Sequence, residues 1–312
     1  MELGKIITFY RKSQAMTQKQ LAQGICSQGE ISLIEKGQRI PSITVIHQIS
    51  ERLGVSLNAF DNLEHSSNLV SLNKIFSKLE LFVNERHYYP MKELLTSDLL
   101  QQCITTTDKQ TYYAYLGIFL NYQNKDYQKA LETYRIALQE SNPLSFKNIL
   151  DIPKHKNLFS RTETLLLAGA ASTLFLLKKY ESAGTLYDLA CKNVKHLKSQ
   201  ISVQILGTIF YNACKNYKEL NNYEKAIQIG KTGISYEQSH KAVYRSAEIY
   251  FEMGEVMFRQ SKIDFAARYY IKSICISFGT GDYHFLNLLI PELQRKDIES
   301  VNCFINQLNL SK

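Results

Sequence analysis

The chain has no tryptophan, only five prolines and fourteen glycines, and no apolar run long enough to cross a bilayer. Glycine and proline make up about 6% of the sequence against roughly 12% in average proteins, which disfavours a turn-rich β fold and points to helix. The longest apolar stretch, 165–177, includes Ser172 and Thr173 and falls short of the roughly 18 residues of a membrane span. Residues 1–14 carry Lys5, Arg11 and Lys12 around a short apolar patch with no h-region, so secretion is not expected and the cytoplasm is. The cysteines at 26, 103, 191, 214, 275 and 303 lie far apart with no C-x-x-C pair. That spacing excludes the usual zinc and dithiol motifs and reads as buried thiols in a reducing compartment. No H-E-x-x-H, G-x-x-x-x-G-K-[ST] or G-x-S-x-G string occurs, so neither an enzyme nor a cofactor or metal site is expected.

What is present suffices for two folded domains: 312 residues, 45% of them hydrophobic and 21% charged. The formal net charge of +8 suggests an acidic partner. Its distribution is uneven, because residues 1–65 hold seven Lys and Arg against six Asp and Glu and leave most of the excess to the remainder.

Residues 1–65 read as short helices with legible caps. Thr17-Gln18-Lys19-Gln20 fits a capping box, Ser27-Gln28-Gly29-Glu30 fits a second, and Gly37 should stop the helix that Ser27 starts. Leu21, Ala22 and Ile25 face inward from the first of these helices, and Ile31 and Ile34 from the second. Pro41-Ser42 opens a further helix with Val45, Ile46, Ile49 and Leu53 on its inner face, ending at Gly54. Two short helices joined by a tight turn make a helix-turn-helix.

The string Met16-Thr17-Gln18, Leu21-Ala22, Ile31-Ser32, Ile34-Glu35-Lys36-Gly37, Pro41-Ser42 and Leu53-Gly54-Val55 resembles the Cro/repressor-type (XRE) helix-turn-helix family. The resemblance implies that the helix from Gln28 to Glu35 enters the major groove of double-stranded DNA. Gln28 is the first candidate for base reading, since its amide matches the N6/N7 edge of adenine. Gly29 would allow close approach, while Ser32 and Leu33 lie one turn on, with Leu33 suited to a thymine methyl or to a partner surface. Gln18, Lys36 and Arg39 stand where repressors of this kind hold phosphates. Arg11 and Glu35 match positions that form a partly buried ion pair in that family.

The remainder, 66–312, repeats. Tyr127-x-x-Ala130-x-x-x-Tyr134-x-x-Ala137 recurs from Tyr180, from Tyr223 with Gly230 and Gly233 in the later positions, and from Ile263 through Ala266 and Tyr270. The starts are 53, 43 and 40 residues apart, longer than the 34-residue tetratricopeptide norm that the pattern resembles. Small residues let a second helix approach, and the aromatics wedge between hairpins. First helices are expected over 111–121, 164–177, 203–218 and 247–259, with a fifth hairpin over 72–100 and a cap from 285. Asn142-Pro143 and Ile152-Pro153 mark a loop. Leu72, Ile75, Phe76, Leu79 and Val83 fit either a dimer seam or the core of the first repeat. The expected class is all-α: a helix-turn-helix domain, then a right-handed α-solenoid of degenerate tetratricopeptide repeats.

In such solenoids the groove is lined by first helices, here projecting Tyr115, Phe119, Tyr122, Ala168, Ser172, Phe175, Tyr211, Lys215, Lys218, Phe251, Glu255 and Phe258. Aromatics interleaved with polar groups suit an extended peptide. Lys215 and Lys218 would favour an acidic residue or a free carboxylate. The whole chain resembles the peptide-pheromone-sensing RRNPP regulators, and within them the PlcR type, through Ile25-Cys26-x-Gln28-x-Glu30, Tyr211-Asn212-x-x-Lys215 and Tyr250-Phe251-Glu252-x-Gly254-Glu255. The resemblance implies a homodimeric transcriptional regulator whose groove asparagine, Asn212, holds the backbone of a signalling peptide. The alternative is a DNA-bound adaptor whose solenoid docks a protein partner.

Overall fold

The computed structural model describes residues 2–54, 66–141, 148–151, 158–194, 197 and 203–308. They divide into two units, 1–87 with 96–102 and 88–95 with 103–312. Both are built from helices.

The first unit opens with α1 (Glu2–Ser13), α2 (Gln18–Ala22), α3 (Gln28–Glu35) and α4 (Ile43–Leu53). The caps form as the sequence requires. Thr17 and Gln20 make the reciprocal capping box, Ser42 Oγ accepts from Val45 N, and Gly54 ends α4 in the left-handed region at φ 62°. The second box is only half formed: Ser27 Oγ accepts from Glu30 N, but the Glu30 carboxylate turns to Arg39 instead of the cap. An aliphatic core of Ile6, Ile7, Leu21, Ala22, Ile31, Ile34, Ile49 and Leu53 unites the four helices. Gly4 is needed there, because a side chain on α1 at that point would run into the Ile34 and Glu35 carbonyls of α3.

A 19-residue helix, α5 (Ser66–Asn84), follows, with Leu72 and Leu79 buried and Ile75, Phe76 and Val83 half-buried. The expected fifth hairpin is instead this long helix followed by two short ones, α6 (Met91–Leu94) and α7 (Ser97–Gln102). Pro90 and the left-handed Arg86 break the chain between them, so the second arm is never long enough to pair along α5.

In the second unit α8 (Thr106–Phe119) and α9 (Tyr127–Gln139), α10 (Arg161–Leu176) and α11 (Tyr180–Val194), α12 (Val203–Glu219) and α13 (Tyr223–Ser239), and α14 (Ser246–Arg259) and α15 (Ile263–Thr280) form four successive hairpins. Each second helix begins at the residue the repeat predicts. Alanines 130, 183, 226 and 266 are fully buried at its start. Tyr134, Tyr187 and Tyr270 are among the largest fully buried side chains of the protein. First helices pack on first helices and the hairpins stack in order, resembling a solenoid of repeats. Helices α16 (Tyr283–Arg295) and α17 (Glu299–Gln307) close the stack over Ala266, Tyr270 and Ile274. Both Pro-containing pairs of the expected loop, at 142–143 and 152–153, lie outside the described residues. No described helix is long and apolar enough to cross a membrane. Of the six cysteines expected to be buried, Cys103 and Cys214 are, Cys26 and Cys191 are half-buried, and Cys275 and Cys303 are exposed on faces of α15 and α17 that no described element covers.

Candidate DNA-reading face and ligand groove

Helix α3 is held from behind. Ile31 and Ile34 are buried, and Arg11 from α1 makes a bidentate pair with Glu35, Nε to Oε1 at 2.6 Å and Nη2 to Oε2 at 2.9 Å. Arg11 also donates to the Met16 carbonyl, and Gln18 Nε2 donates to Glu35 Oε2 at 2.7 Å. Burial pushes the Glu35 carboxyl up, but the hydrogen bonds from Arg11 and Gln18 prevail and hold it below the ordinary carboxylate range. Pinned on this side, α3 turns Gln28, Gly29, Ser32 and Leu33 outward. Gln28 with Ser32 and Gly29 with Leu33 are i,i+4 neighbours, so the four form one patch.

Gln28 and Gly29 are exposed, Ser32 is half-buried and Leu33 is 40% exposed. A Cβ on Gly29 would meet nothing closer than Ser27 Oγ at 3.9 Å, so nothing inside the chain requires glycine there. Lys36 and Arg39 follow on the exposed loop, Arg39 drawn to Glu30 at 3.1 Å. The Gln18 amide donates one of its two N–H groups to Glu35, which makes this residue a brace of the α1–α3 junction as well as a residue at the start of α2.

On the first-helix face of the second unit, Tyr115, Ala168, Ser172, Phe175, Tyr211, Asn212, Lys215, Phe251, Glu255 and Phe258 are half-buried. Ser172 Oγ lies 3.0 Å from Tyr187 Oη, and Asn212 Nδ2 reaches toward Ser172 Oγ at 3.5 Å, which joins α10, α11 and α12. The Lys215 ammonium lies 5.3 Å from the centre of the Phe175 ring. Tyr122, 42% exposed, stacks on Tyr88 with ring centres 5.0 Å apart. It leaves a single π-helical turn over Leu120–Asn124 that extends α8.

Two expected groove residues are corrected. Lys218 is 7% exposed and bonded to Glu252 at 2.6 Å, with Cys214 beneath, so it is a buried ion-pair member and offers no charge to a ligand. Phe119 is 7% exposed and belongs to the packing of α8. Glu255 keeps its place on the face but is already matched, accepting from Tyr270 Oη at 2.6 Å and paired with Lys296 at 3.0 Å. Phe251 packs edge-on to Phe285 and tilted on Tyr270. Tyr187 and Tyr270, expected as aromatic wedges, also carry hydroxyls bonded to Ser172 and Glu255, and the signal for this in the sequence is the constant spacing from tyrosine to first-helix residue.

Fold and face together define a helix-turn-helix unit followed by a stack of helical hairpins with a polar-aromatic inner face. Residues 7–60 match the family model described as Helix-turn-helix. No curated protein matches the sequence. Among solved structures, the chain is similar to Bacillus thuringiensis PlcR in complex with the peptide PapR7 and DNA, with a TM-score of 0.72 and 16% identity over 93% of this chain and 99% of that one. It is similar also to ComR from S. thermophilus in complex with DNA and its signalling peptide ComS, with a TM-score of 0.61 and 14% identity over 95% and 100%. The Streptococcus dysgalactiae SHP pheromone receptor Rgg2 matches at a TM-score of 0.58 and 12% identity over 95% and 100%. At these identities the likeness establishes a shared fold along almost the whole chain.

Proposed function

We propose that this chain is a peptide-sensing transcriptional regulator of the RRNPP group: a cytoplasmic homodimer that binds an operator through residues 1–65 and a short signalling peptide through residues 66–312. The observation that carries this reading is the fold shared end to end with PlcR and ComR, each solved with both DNA and a peptide. The exposed patch on α3 supports it independently.

In this reading Gln28 pairs with adenine, Ser32 bonds a base or phosphate, Leu33 meets a thymine methyl, and Gly29 lets the backbone approach. Lys36 and Arg39 hold phosphates, as does Gln18 at the start of α2, and set register without reading sequence. Two such readers would address half-sites about one helical turn apart. In the groove, Asn212 and Ser172 hold peptide backbone, while Tyr115, Tyr122, Phe175, Tyr211 and Phe251 line side-chain pockets and Glu255 bounds the far end. A peptide shifts DNA binding only by as much as it prefers one shape of the dimer, typically about 1–3 kcal/mol.

The test starts with an operator selected from randomised duplexes, followed by its binding to purified protein with and without peptides encoded near the gene. A peptide-dependent change in affinity or footprint that disappears in Asn212→Ala is expected. Tight DNA binding indifferent to every peptide would instead favour an adaptor whose solenoid docks a protein.

A further inference from the structure

The hairpins share a register. In the second and fourth, the buried tyrosine of the second helix meets the first-helix residue fifteen positions earlier: Tyr187 with Ser172 and Tyr270 with Glu255. The same register sets Tyr134 opposite Phe119 in the first hairpin and Gly230 opposite Lys215 in the third. Two polar groups are thereby left over. Tyr134 Oη is buried with no hydrogen-bond partner, and Lys215 has no carboxylate within ion-pair distance among the described residues. The other charges of this face are matched, Lys218 by Glu252 and Glu255 by Lys296.

Neither leftover is a packing accident. The Tyr134 phenol passes between α8 and α10 at two glycines, where a Cβ on Gly117 or on Gly169 would fall 2.8 Å from its oxygen. Both glycines therefore hold open the slot that brings the hydroxyl to the first-helix layer. Burial, and then the neighbouring phenols of Tyr122 and Tyr187, keep it protonated well above the ordinary phenol range, so it acts as a donor awaiting an acceptor. Lys215 is half-buried over Phe175, where an anion is attracted more strongly than in open water. Between them stand the donors and acceptors of Ser172, Tyr187 and Asn212.

Building on the peptide-binding reading above, we propose that the ligand is an acidic peptide lying across α8, α10 and α12, with a carboxylate on Lys215 and a backbone carbonyl on Tyr134 Oη. Both anchors abut α10, Tyr134 Oη at Gly169 and the Lys215 ammonium at Phe175, two sites about 9 Å apart along that helix at about 1.5 Å per residue. At about 3.3–3.6 Å per residue, at least about three extended residues connect them, within the reach of a hexapeptide. Tyr122 is the element that moves: its ring leaves the surface stack on Tyr88 to admit the carbonyl, without opening the core. The carboxylate belongs either to an Asp or Glu side chain or to the peptide C-terminus.

The test is affinity selection on the immobilised full-length protein from two randomised hexapeptide mixtures, one with free C-termini and one amidated. Carboxylate-bearing peptides are expected to be enriched, and Lys215→Met is expected to lower their retention at least tenfold. Loss of enrichment on amidation assigns the terminal carboxylate; persistence with Asp or Glu fixed at one position assigns a side chain. Tyr134→Phe is expected to lower retention several-fold while the unliganded protein melts at the same temperature or higher. Tyr187→Phe, which removes a made hydrogen bond, is expected to melt lower. Retained peptides with no acidic preference and no loss in Lys215→Met would overturn this inference alone, as would a Tyr134→Phe protein that melts as low as Tyr187→Phe. Retention of no peptide by the wild type would overturn the peptide-binding reading with it.

Discussion

The helix-turn-helix unit and the hairpin stack solve the burial of polar groups in opposite ways. In the former the core is aliphatic, and the buried Arg11–Glu35 pair is over-satisfied: Arg11 meets both oxygens of Glu35 and the Met16 carbonyl, and Gln18 adds a further bond. Its exposed polar groups include Gln28 on α3 and Lys36 after it. Among the described residues, the stack buries whole tyrosines against glycines and alanines and leaves the Tyr134 phenol without a hydrogen-bond partner, as it does the side-chain oxygens of Asn216, Gln260 and Asn302, and the Lys215 ammonium without a carboxylate. A rigid unit with an open polar face suits reading another rigid surface. A stack with unmet demands inside it suits a ligand whose binding completes the fold, and completion of that kind couples ligand to shape.

That contrast can be broken most sharply at Arg11. Arg11→Ala strands the buried Glu35 carboxylate and should cost the first unit about 3 kcal/mol, read as early loss of its helicity in denaturant, with the stack unfolding as before. Next in size is Gly169→Ala, which sets a Cβ 2.6 Å from the Tyr134 ring at a site with no room to yield, for an expected loss of about 2 kcal/mol in the stack. Gln28→Ala should leave stability unchanged and remove about 1–2 kcal/mol of preference at one base pair per half-site. Arg39→Ala should weaken all sequences alike and flatten the salt dependence. Equal losses on every sequence for both variants would contradict the division between base reading and phosphate holding.

Smaller still is the glycine counterpart. Gly29→Ala meets open space, so a gain of up to about 1 kcal/mol in stability is expected together with weaker operator binding, the reverse of Gly169→Ala. Acid separates the two units as well. The Glu35 carboxyl is held below its ordinary range in the fold, so its contribution to stability is present above the unfolded value and fades as pH falls through the folded one. Glu237, on α13, is raised by burial against the hydrogen bonds from Ser246 and Arg245, so stability there is greatest below the unfolded value and declines as pH rises through the folded one. Hydrogen exchange between pH 6 and pH 4 should show protection falling around α3 while it holds or rises at the α13–α14 joint.

Much of this was legible in the sequence because caps and small residues act locally. Thr17, Ser42 and Gly54 set helix ends through their own hydrogen bonds and φ angles, and Ala130, Ala183, Ala226 and Ala266 fix hairpin contacts by size alone. The outward placement of Gln28, Gly29 and Leu33 follows from the same spacing that places Ile31 and Ile34 inside. What escaped depended on distant partners. Lys218 reads as a groove cation until Glu252, a hairpin away in sequence, neutralises it. Glu30 reads as a capping residue until Arg39 competes for it. The orphaned state of Tyr134 follows only from comparing hairpins, since a local window shows an aromatic wedge and nothing of the apolar residue opposite.

In the proposed regulator, one chain couples a peptide on its inner face to an operator on α3. The most direct measurement is the affinity of the full-length protein for a selected acidic hexapeptide, with and without saturating operator DNA. Linkage predicts that DNA changes peptide affinity by the same factor by which peptide changes DNA affinity, about 5- to 150-fold. A factor of one in both directions would contradict it.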